Sequence, residues 1–323
     1  MANNELRQGI NNVTLTGEVK EHKLKFNKDK DGNYINGSLI IKTGEFSELE
    51  IKVFVKEKNK DGKAKKVFET LDKFIKGEQL TLADCKNDED RENVTKVRVF
   101  GNKEFVPHFK EEIFKIKEAE EVKTKITIEL GFGTVSIDNG IKPEDYKADF
   151  DVEMYVTSVK EEIKNDEETG RTIISGWTPV YGGKVIPMEF IAGTIIDDEG
   201  EEYDFGEDIL NSVEEGMTLN LWGNINYQSK IVKTKKGGTL GKAKIEEHRE
   251  YVNELIILGA DIQEDEEKEF DPELIKKAKI ERDNEIENKK NEEPVENKKG
   301  KGLNNKGSET NTRRERPKFW FGI

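Results

Sequence analysis

The chain has 323 residues, of which 38% are charged and 33% hydrophobic, and its formal net charge is -14. The length allows two domains of ordinary size, and the charged composition predicts that part of the chain is disordered. The single cysteine, Cys85, excludes an internal disulfide and is typical of a reducing compartment. No apolar run approaches the roughly 20 residues that cross a membrane, and the N-terminus lacks the apolar core of a signal peptide. We therefore expect a soluble, cytoplasmic protein without membrane partners.

The charge is unevenly distributed along the chain. Residues 1–110 sum to about +3, residues 111–260 to about −15, and residues 261–323 to about −2. The negative total argues against indiscriminate binding to polyanions. Because exposed charges are screened beyond a Debye length of roughly 10 Å, a basic groove in the first third can coexist with an acidic whole.

Three strands are predicted first along the chain. Apolar residues alternate with polar ones, which is typical of half-buried strands: Val13, Leu15 and Val19; then Ile35, Leu39 and Ile41; then Leu49, Ile51, Val53 and Val55. A Lys-rich turn that ends at Asp31-Gly32-Asn33 separates the first two strands. The other face of the second and third strands carries aromatic rings and lysines. These residues are Tyr34, Lys42, Lys52, Phe54 and Lys56.

This interleaving of rings and lysines suits a single strand of nucleic acid, because bases stack on rings while ammonium groups follow the phosphates. The loop from Lys56 to Lys66 adds three further candidates, Lys58, Lys63 and Lys65. Two alternatives stay open: the rings pack on a neighbouring loop or on the other domain, and the lysines only solvate the loop.

A short amphipathic helix follows, since Val67, Leu71, Phe74 and Ile75 recur at helical spacing before Gly77. Leu80 and Leu82 predict a fourth strand, and the segment from Val94 to Phe100 a fifth. The order is therefore three strands, one helix and two strands.

That order recurs in the second half. Strands are predicted at 152–156, 174–177, 185–191, 215–222 and 254–259, with a helix near Leu210 and a basic loop from Lys230 to Lys244. Five landmarks are 139 positions apart: Gly37 and Gly176, Leu71 and Leu210, Gly77 and Gly216, Leu80 and Leu219, Leu82 and Leu221. The common offset predicts a tandem duplication. Between the copies, residues 126–137 predict a hairpin that turns at Gly131-Phe132-Gly133.

The second copy contributes four candidate nucleic-acid ligands: Trp177, Trp222, Lys233 and Lys235. Trp177 inherits the outward position of Ser38 by the offset, and Trp222 faces away from Leu219 and Leu221. Because this copy is acidic, the alternative is that either tryptophan seals the contact between domains.

Beyond residue 260 the chain becomes an acidic and then polar low-complexity tail, which predicts disorder. It ends in a basic and aromatic segment, in which Phe319, Trp320 and Phe321 are consecutive. Three aromatics at a disordered end are poor core candidates, so we expect them to bind a partner protein.

The order of elements resembles the OB-fold, a five-stranded Greek-key barrel. The segments Asn12–Gly17 and Gly37–Ile41 also resemble the first strands of single-stranded DNA-binding proteins. The whole resembles a phage-type single-stranded DNA-binding protein with two OB-folds, similar in layout to the tandem modules of replication protein A. The resemblance implies a mainly β fold: an OB-fold at 1–110, a connecting segment with a hairpin at 111–146, a second OB-fold at 147–260 and a disordered tail at 261–323.

The resemblance further implies binding of single-stranded DNA without sequence preference, in replication, recombination or repair, in the host cytoplasm if a phage encodes the chain. The tail would recruit replication or recombination proteins. Bacterial members of that family end in an acidic tip with a terminal Pro-Phe, whereas this terminus is aromatic but basic. The same partner pocket is therefore not implied.

No catalytic or metal-binding pattern stands out. The histidines His22, His108 and His248 lack ligand-spaced companions, and there is no phosphate-binding loop that ends in Lys-Ser or Lys-Thr. We expect no enzymatic activity, no metal and no cofactor. The rival hypothesis is an acidic OB-fold protein-interaction module, as a DNA mimic, a scaffold or a virion component. The oligomeric state stays open.

Overall fold

The computed structural model describes residues 5–102, 106–116, 121–196, 200–236 and 244–291, without the side chains of residues 229–251. The strands are β1 (Asn11–His22), β2 (Lys25–Asp29), β3 (Gly32–Lys42), β4 (Glu48–Lys56), β5 (Lys96–Phe100), β6 (His108–Ile116), β7 (Glu121–Glu129), β8 (Thr134–Ile137), β9 (Lys147–Lys164), β10 (Glu167–Val180), β11 (Lys184–Ala192), β12 (Thr194–Ile196), β13 (Glu202–Asp204), β14 (Thr218–Lys236) and β15 (Lys244–Ile262). The helices are α1 (Lys66–Ile75), α2 (Asp88–Glu92), α3 (Phe205–Ser212) and α4 (Pro272–Asn291). None of these helices has the length and apolar composition needed to cross a membrane.

The predicted mainly β, OB-like fold is confirmed, and its ring of strands is complete in the second copy. β9 pairs with β10, and β10 pairs with β11. β11 runs parallel to β15 at Ile191 and Ile256, β15 pairs with β14, and β14 returns to β9. This is the strand order of a closed five-stranded Greek-key barrel, which we call the second barrel.

The first copy builds the same ring from six strands. β1 pairs with β3, and β3 with β4. β4 runs parallel to β7 at Ile51 and Ile128, while β8 pairs with β5 and β5 returns to β1. β7 and β8 therefore act as two halves of the fifth strand. We call this ring the first barrel.

The predicted fourth strand at Leu80 and Leu82 is wrong. Residues Leu82–Asp84 form a 3₁₀ turn, because the Thr81 hydroxyl donates to the Asp84 carboxylate at 2.6 Å and the Asp84 N–H donates to the Thr81 carbonyl at 3.1 Å. Such local bonds offer the backbone an alternative to a strand ladder. The fourth strand of the barrel is β5, which lies within the segment predicted as the fifth.

The repeat offset holds only as far as a glycine that follows each helix. Gly77 lies two residues after α1 and Gly216 four residues after α3, and both have positive φ, 71° and 98°. Beyond them, Val99 pairs with Leu15 and Leu219 pairs with Met154. The partners Leu15 and Met154 keep the offset of 139, but Val99 and Leu219 are only 120 apart. The first copy therefore carries an extra segment here, which includes α2.

The predicted hairpin around Gly131-Phe132-Gly133 is also wrong. β7 pairs with β6 and β4, whereas β8 pairs with β5, so the hairpin of this region is β6–β7. Both β7 and β8 have an apolar face, and alternation alone does not separate a hairpin from a bent strand. The predicted domain limit at residue 110 lies inside β6. β9 joins the barrels, since it pairs with β1 as well as with β14.

The segment after β15 differs from the expected disordered tail. The helix α4 packs on the second barrel, where Phe270, Ile275 and Ala278 are buried together with Val185 of β11. Few apolar residues make this contact, so the composition resembles that of a disordered segment. The residues 292–323, which include Phe319, Trp320 and Phe321, lie outside the described residues.

Candidate nucleic-acid interface

Two aromatic rings lie together on the outer face of the first barrel. The β3–β4 register places Tyr34 opposite Lys56, and Asn36 opposite Phe54. The ring centroids of Tyr34 and Phe54 are 5.3 Å apart with planes tilted by 40°, and Phe54 is 50% exposed. Ile35, on the other face of β3, is fully buried. We call Tyr34 and Phe54 the aromatic pair.

Strand β2 extends this face on the side of β3. Lys25 pairs with Asn36, and Asn27 pairs with Tyr34. The Asn27 amide donates a hydrogen bond of 2.8 Å to the Asn36 side-chain oxygen. Sequence reasoning missed both β2 residues because the Lys-rich segment looked like a turn. The alternation of Leu24, Phe26 and Lys28 with Lys25 and Asn27 was the available signal.

The candidate lysines on the strands all have carboxylate neighbours. Lys42 is 3.1 Å from Glu18, Lys52 is 3.9 Å from Glu112, and Lys56 is 3.8 Å from Asp31. Exposed ion pairs of this kind contribute about 0–1 kcal/mol, so a phosphate can compete for Lys52 and Lys56. Lys42 is eight residues from Tyr34 along β3, roughly 26 Å at 3.3 Å per residue, and the fold does not bring the two together.

The loop after β4 starts at Lys56, which lies opposite Tyr34 of the aromatic pair. The Asn59 side-chain oxygen accepts hydrogen bonds from the N–H groups of Asp61 and Lys63, and the Lys65 N–H donates to the Glu57 carbonyl at 2.9 Å. These bonds hold the loop next to the end of β4. Within the described parts of the chain, the ammonium groups of three candidates have no carboxylate within 4.0 Å. They are Lys58, Lys63 and Lys65.

An open cleft separates this loop from the β2–β3 turn. Its basic lining consists of Lys28, Lys56, Lys58 and Lys60, and its acidic lining of Asp31 and Glu57. The basic groups outnumber the acidic ones, so the cleft can attract a phosphate backbone at the edge of the aromatic pair.

The corresponding face of the second barrel is covered. Trp177 of β10 packs against the cluster formed by Val185, Phe270 and Ile275, and the Arg282 guanidinium of α4 lies 5.5 Å from the centre of its indole. Arg282 also donates to both carboxylate oxygens of Glu111 on β6, and these bonds raise the pKa of Arg282. The structure therefore does not bring Trp177 into the interface on the first barrel.

Trp222 lies in an acidic and amide-rich setting. It is 38% exposed on β14 and pairs with Asp151 and with Gly259. Its indole lies over Gly259, where a Cβ would come within 2.3 Å of the ring. Burial raises the pKa of the neighbouring Asp151, and a hydrogen bond from Asn220 opposes that shift. A carboxylate next to the indole does not favour a phosphate there.

The predicted basic loop from Lys230 to Lys244 is mostly a β-hairpin. β14 continues to Lys236 and β15 begins at Lys244, so that Lys233 pairs with Glu247 and Lys235 with Ile245. The side chains of both lysines lie outside the description, and their role stays a prediction. In the described part of the chain, no three His, Cys, Asp or Glu side chains are grouped as metal ligands.

A family model named YorF matches residues 9–292 of this chain. The chain belongs to the YorF family. The YorF match includes both barrels and ends one residue beyond α4, so the helix is part of the family unit and Phe319, Trp320 and Phe321 are not. A search of curated proteins found no match.

Two solved structures show a distant likeness to this YorF-family chain. A deletion mutant of the single-stranded DNA binding protein from Thermus aquaticus has 10% identity and a TM-score of 0.42, with 82% of this chain and 98% of that chain covered. The wild-type protein has 9% identity and a TM-score of 0.39, with 80% and 95% covered. These values are too low to assign a function, which we argue from the residues of this chain.

Proposed function

We propose that this YorF-family protein binds single-stranded DNA without sequence preference through the outer face of its first barrel. The observation that supports the proposal is the aromatic pair, Tyr34 and Phe54 at 5.3 Å, beside loop lysines that have no carboxylate within 4.0 Å in the described residues. Each ring offers a π face to any base, and the lysines attract the backbone. The protein acts by binding and not by catalysis.

The finer parts of the proposal concern its context. Binding serves replication, recombination or repair, in the cytoplasm of a host if a phage encodes the protein. The terminal residues Phe319, Trp320 and Phe321 recruit a partner protein of that machinery. The support is compositional, since a basic and aromatic segment ends the 32 residues that follow α4.

The second candidate function is an acidic OB-fold protein-interaction module. The observation that favours it is on the second barrel, where α4 covers Trp177 and where Trp222 stands beside Asp151. In this alternative the protein binds another protein, and the aromatic pair is a protein contact. A nucleic-acid titration separates the two functions.

The test is a titration of fluorescein-labelled oligo-dT with the intact protein and with Tyr34→Ala and Phe54→Ala. Loss of one stacking ring costs about 1–3 kcal/mol per base, which is a loss of about 5- to 150-fold in affinity. Tyr181→Ala is the matched control, because Tyr181 is 86% exposed and lies between β10 and β11. Its affinity should equal that of the unmodified protein.

Salt and competitors complete the test. The slope of log affinity against log salt should be near −0.7 for each phosphate neutralised, and duplex DNA should compete poorly. The same titration with a single-stranded RNA of equal length measures whether the protein prefers DNA or RNA. If the intact protein does not bind, if both ring variants bind normally, or if duplex is preferred, the proposal is wrong.

A further inference from the structure

An exposed phenylalanine lies at the turn between β7 and β8. Phe132 is 72% exposed, and the Gly133 N–H closes the turn by donating to the Leu130 carbonyl at 2.8 Å. Leu130 itself is fully buried. The turn therefore buries the Leu130 side chain in the core and exposes the Phe132 side chain to solvent.

The fold explains the two glycines of this turn. Gly131 has φ 55°, and a Cβ there would lie 2.7 Å from the His108 ring. A Cβ on Gly133 would lie 2.8 Å from the Leu130 carbonyl oxygen and from Pro107. Close approach of the chain thus requires both glycines. The Phe132 ring is 72% exposed, so most of its surface is accessible to a ligand.

The turn begins next to β4, the strand that carries Phe54. β7 runs parallel to β4, with Glu129 next to Lys52 and the Leu130 N–H donating to the Lys52 carbonyl at 2.8 Å. Phe54 is two residues beyond Lys52 on β4, and Gly131 is two residues beyond Glu129. The pairing of β7 with β4 ends at Glu129 and Lys52, so the turn leaves β4 two residues, or roughly 7 Å, before Phe54.

The loop lysines approach the same turn from the other side. The Lys65 ammonium lies 5.7 Å from the centre of the Phe132 ring. The Lys65 N–H bonds to the Glu57 carbonyl, next to Lys56 at the end of β4. The Phe132 ring and the Lys65 ammonium group therefore lie together at the turn between β7 and β8.

Charge distinguishes two directions across the outer face. Along β4 and the β6–β7 hairpin, away from the aromatic pair, several lysines are already paired with carboxylates. These pairs are Lys20 with Glu48, Lys52 with Glu112, and Lys110 with Glu129. Across the strands, from β2 through the aromatic pair to Phe132, Lys56 is 3.8 Å from Asp31, whereas Lys25 and Lys65 have no carboxylate within 4.0 Å among the described residues.

We infer that Phe132 is a third base-stacking residue, and that the bound strand crosses the strands of the first barrel from the aromatic pair to the turn. Lys65 takes the phosphate next to the base on Phe132. The inference rests on the proposed function and adds to it the direction of the path and a residue at its end.

The experiment measures affinity for oligo-dT of graded length, from about 4 to about 16 nucleotides, the range of site sizes of OB-folds. Phe132→Ala should weaken binding of the longer oligonucleotides about 5- to 150-fold and leave the shortest unaffected. Phe114→Ala is the control, since Phe114 is 41% exposed on β6, in the other direction. It should bind like the unmodified protein at every length.

A second variant gives a direct optical reading. Phe132→Trp keeps a stacking ring and places a tryptophan in the described part of the first barrel, where the chain has none. It should bind normally, and oligo-dT should quench the emission that it adds to the unmodified protein. Because the ring is exposed, neither Phe132 variant should unfold the protein, which a thermal melt verifies.

The inference and the proposed function fail in different ways. If the intact protein binds and the Tyr34→Ala and Phe54→Ala variants are weak, but Phe132→Ala binds normally at every length, the inference is wrong and the function stands. If Phe114→Ala shows the length-dependent loss, the path follows the β6–β7 hairpin and the inference is also wrong. If the intact protein does not bind, the function itself is wrong.

Discussion

The contact between Arg282 and Glu111 gives the sharpest test of how α4 is held. Arg282 donates from Nε at 2.6 Å and from Nη2 at 2.5 Å to the two carboxylate oxygens of Glu111. The side chains are only 14% and 5% exposed. Since α4 packs on β11 and Glu111 lies on β6, this pair ties the helix on the second barrel to the strand that pairs with β7 of the first barrel.

Arg282→Ala should lower the free energy of unfolding by about 3 kcal/mol. Removal of one partner of a buried ion pair costs about 3–5 kcal/mol, because the other charge stays buried without compensation. For this pair we expect a smaller loss, about 2–3 kcal/mol, because the Arg282 side chain is still 14% exposed to water. Loss of the cation–π contact with Trp177 adds about 0.5–1 kcal/mol.

The measurement is urea unfolding, with hydrogen exchange of α4 as a local reading. The matched control is the double variant Arg282→Met and Glu111→Met, which removes both charges and should recover most of the loss. A change below about 0.5 kcal/mol in Arg282→Ala, with unchanged exchange in α4, would falsify the docking of the helix. A double variant as unstable as the single one would contradict the argument from an unpaired charge.

Three further predictions follow from other contacts. Burial raises the pKa of Glu162, but hydrogen bonds from Arg171, Thr169 and Lys164 outweigh burial and lower the pKa from 4.5 to about 2. The stability that this carboxylate contributes should therefore be complete above about pH 4.5 and be lost as the pH falls toward 2, which thermal melts measure. Glu162→Gln should remove this pH dependence. Asn11→Ala should cost about 2–3 kcal/mol in urea unfolding, because the Asn11 side chain bonds both the N–H and the carbonyl of buried Phe109 at 2.9 Å; a loss below about 0.5 kcal/mol would contradict this. Trp177→Phe should bind oligo-dT normally, since α4 covers the indole. If oligo-dT quenches the tryptophan emission of the unmodified protein and this quench is lost in Trp177→Phe, the bound strand contacts the second barrel and the prediction is wrong.

The two copies of the fold present the same face in opposite ways. On the first barrel the outer face of β3 and β4 carries the exposed aromatic pair. On the second barrel Trp177, which matches Ser38 of β3 by the offset of 139, lies against Arg282 of α4. The first barrel therefore leaves this face open to a ligand, whereas the second barrel uses it to dock a helix of the same chain.

The sequence by itself determined which apolar residues of the first strands face the core, although Ser38, predicted to face outward, is only 4% exposed. The positions Leu15, Leu39 and Ile51 are fully or almost fully buried as predicted, and Phe54 is exposed as predicted. Side chains alternate with a period of two along any strand, so this assignment needs no knowledge of the neighbouring strand. Tyr34 and Phe54 could therefore be named as a shared surface before the fold was known.

Only the tertiary structure decided which strands pair and which surfaces are covered. The apolar residues of β7 and β8 predicted a hairpin, but their partners are strands distant in the sequence. The outward position of Trp177 was open in the sequence, and α4, about a hundred residues later, closes it. The parallel pairing of β7 with β4 brought the turn that carries Phe132 next to Lys52, two residues before Phe54. Pairing and coverage depend on contacts between distant segments, which local periodicity does not encode.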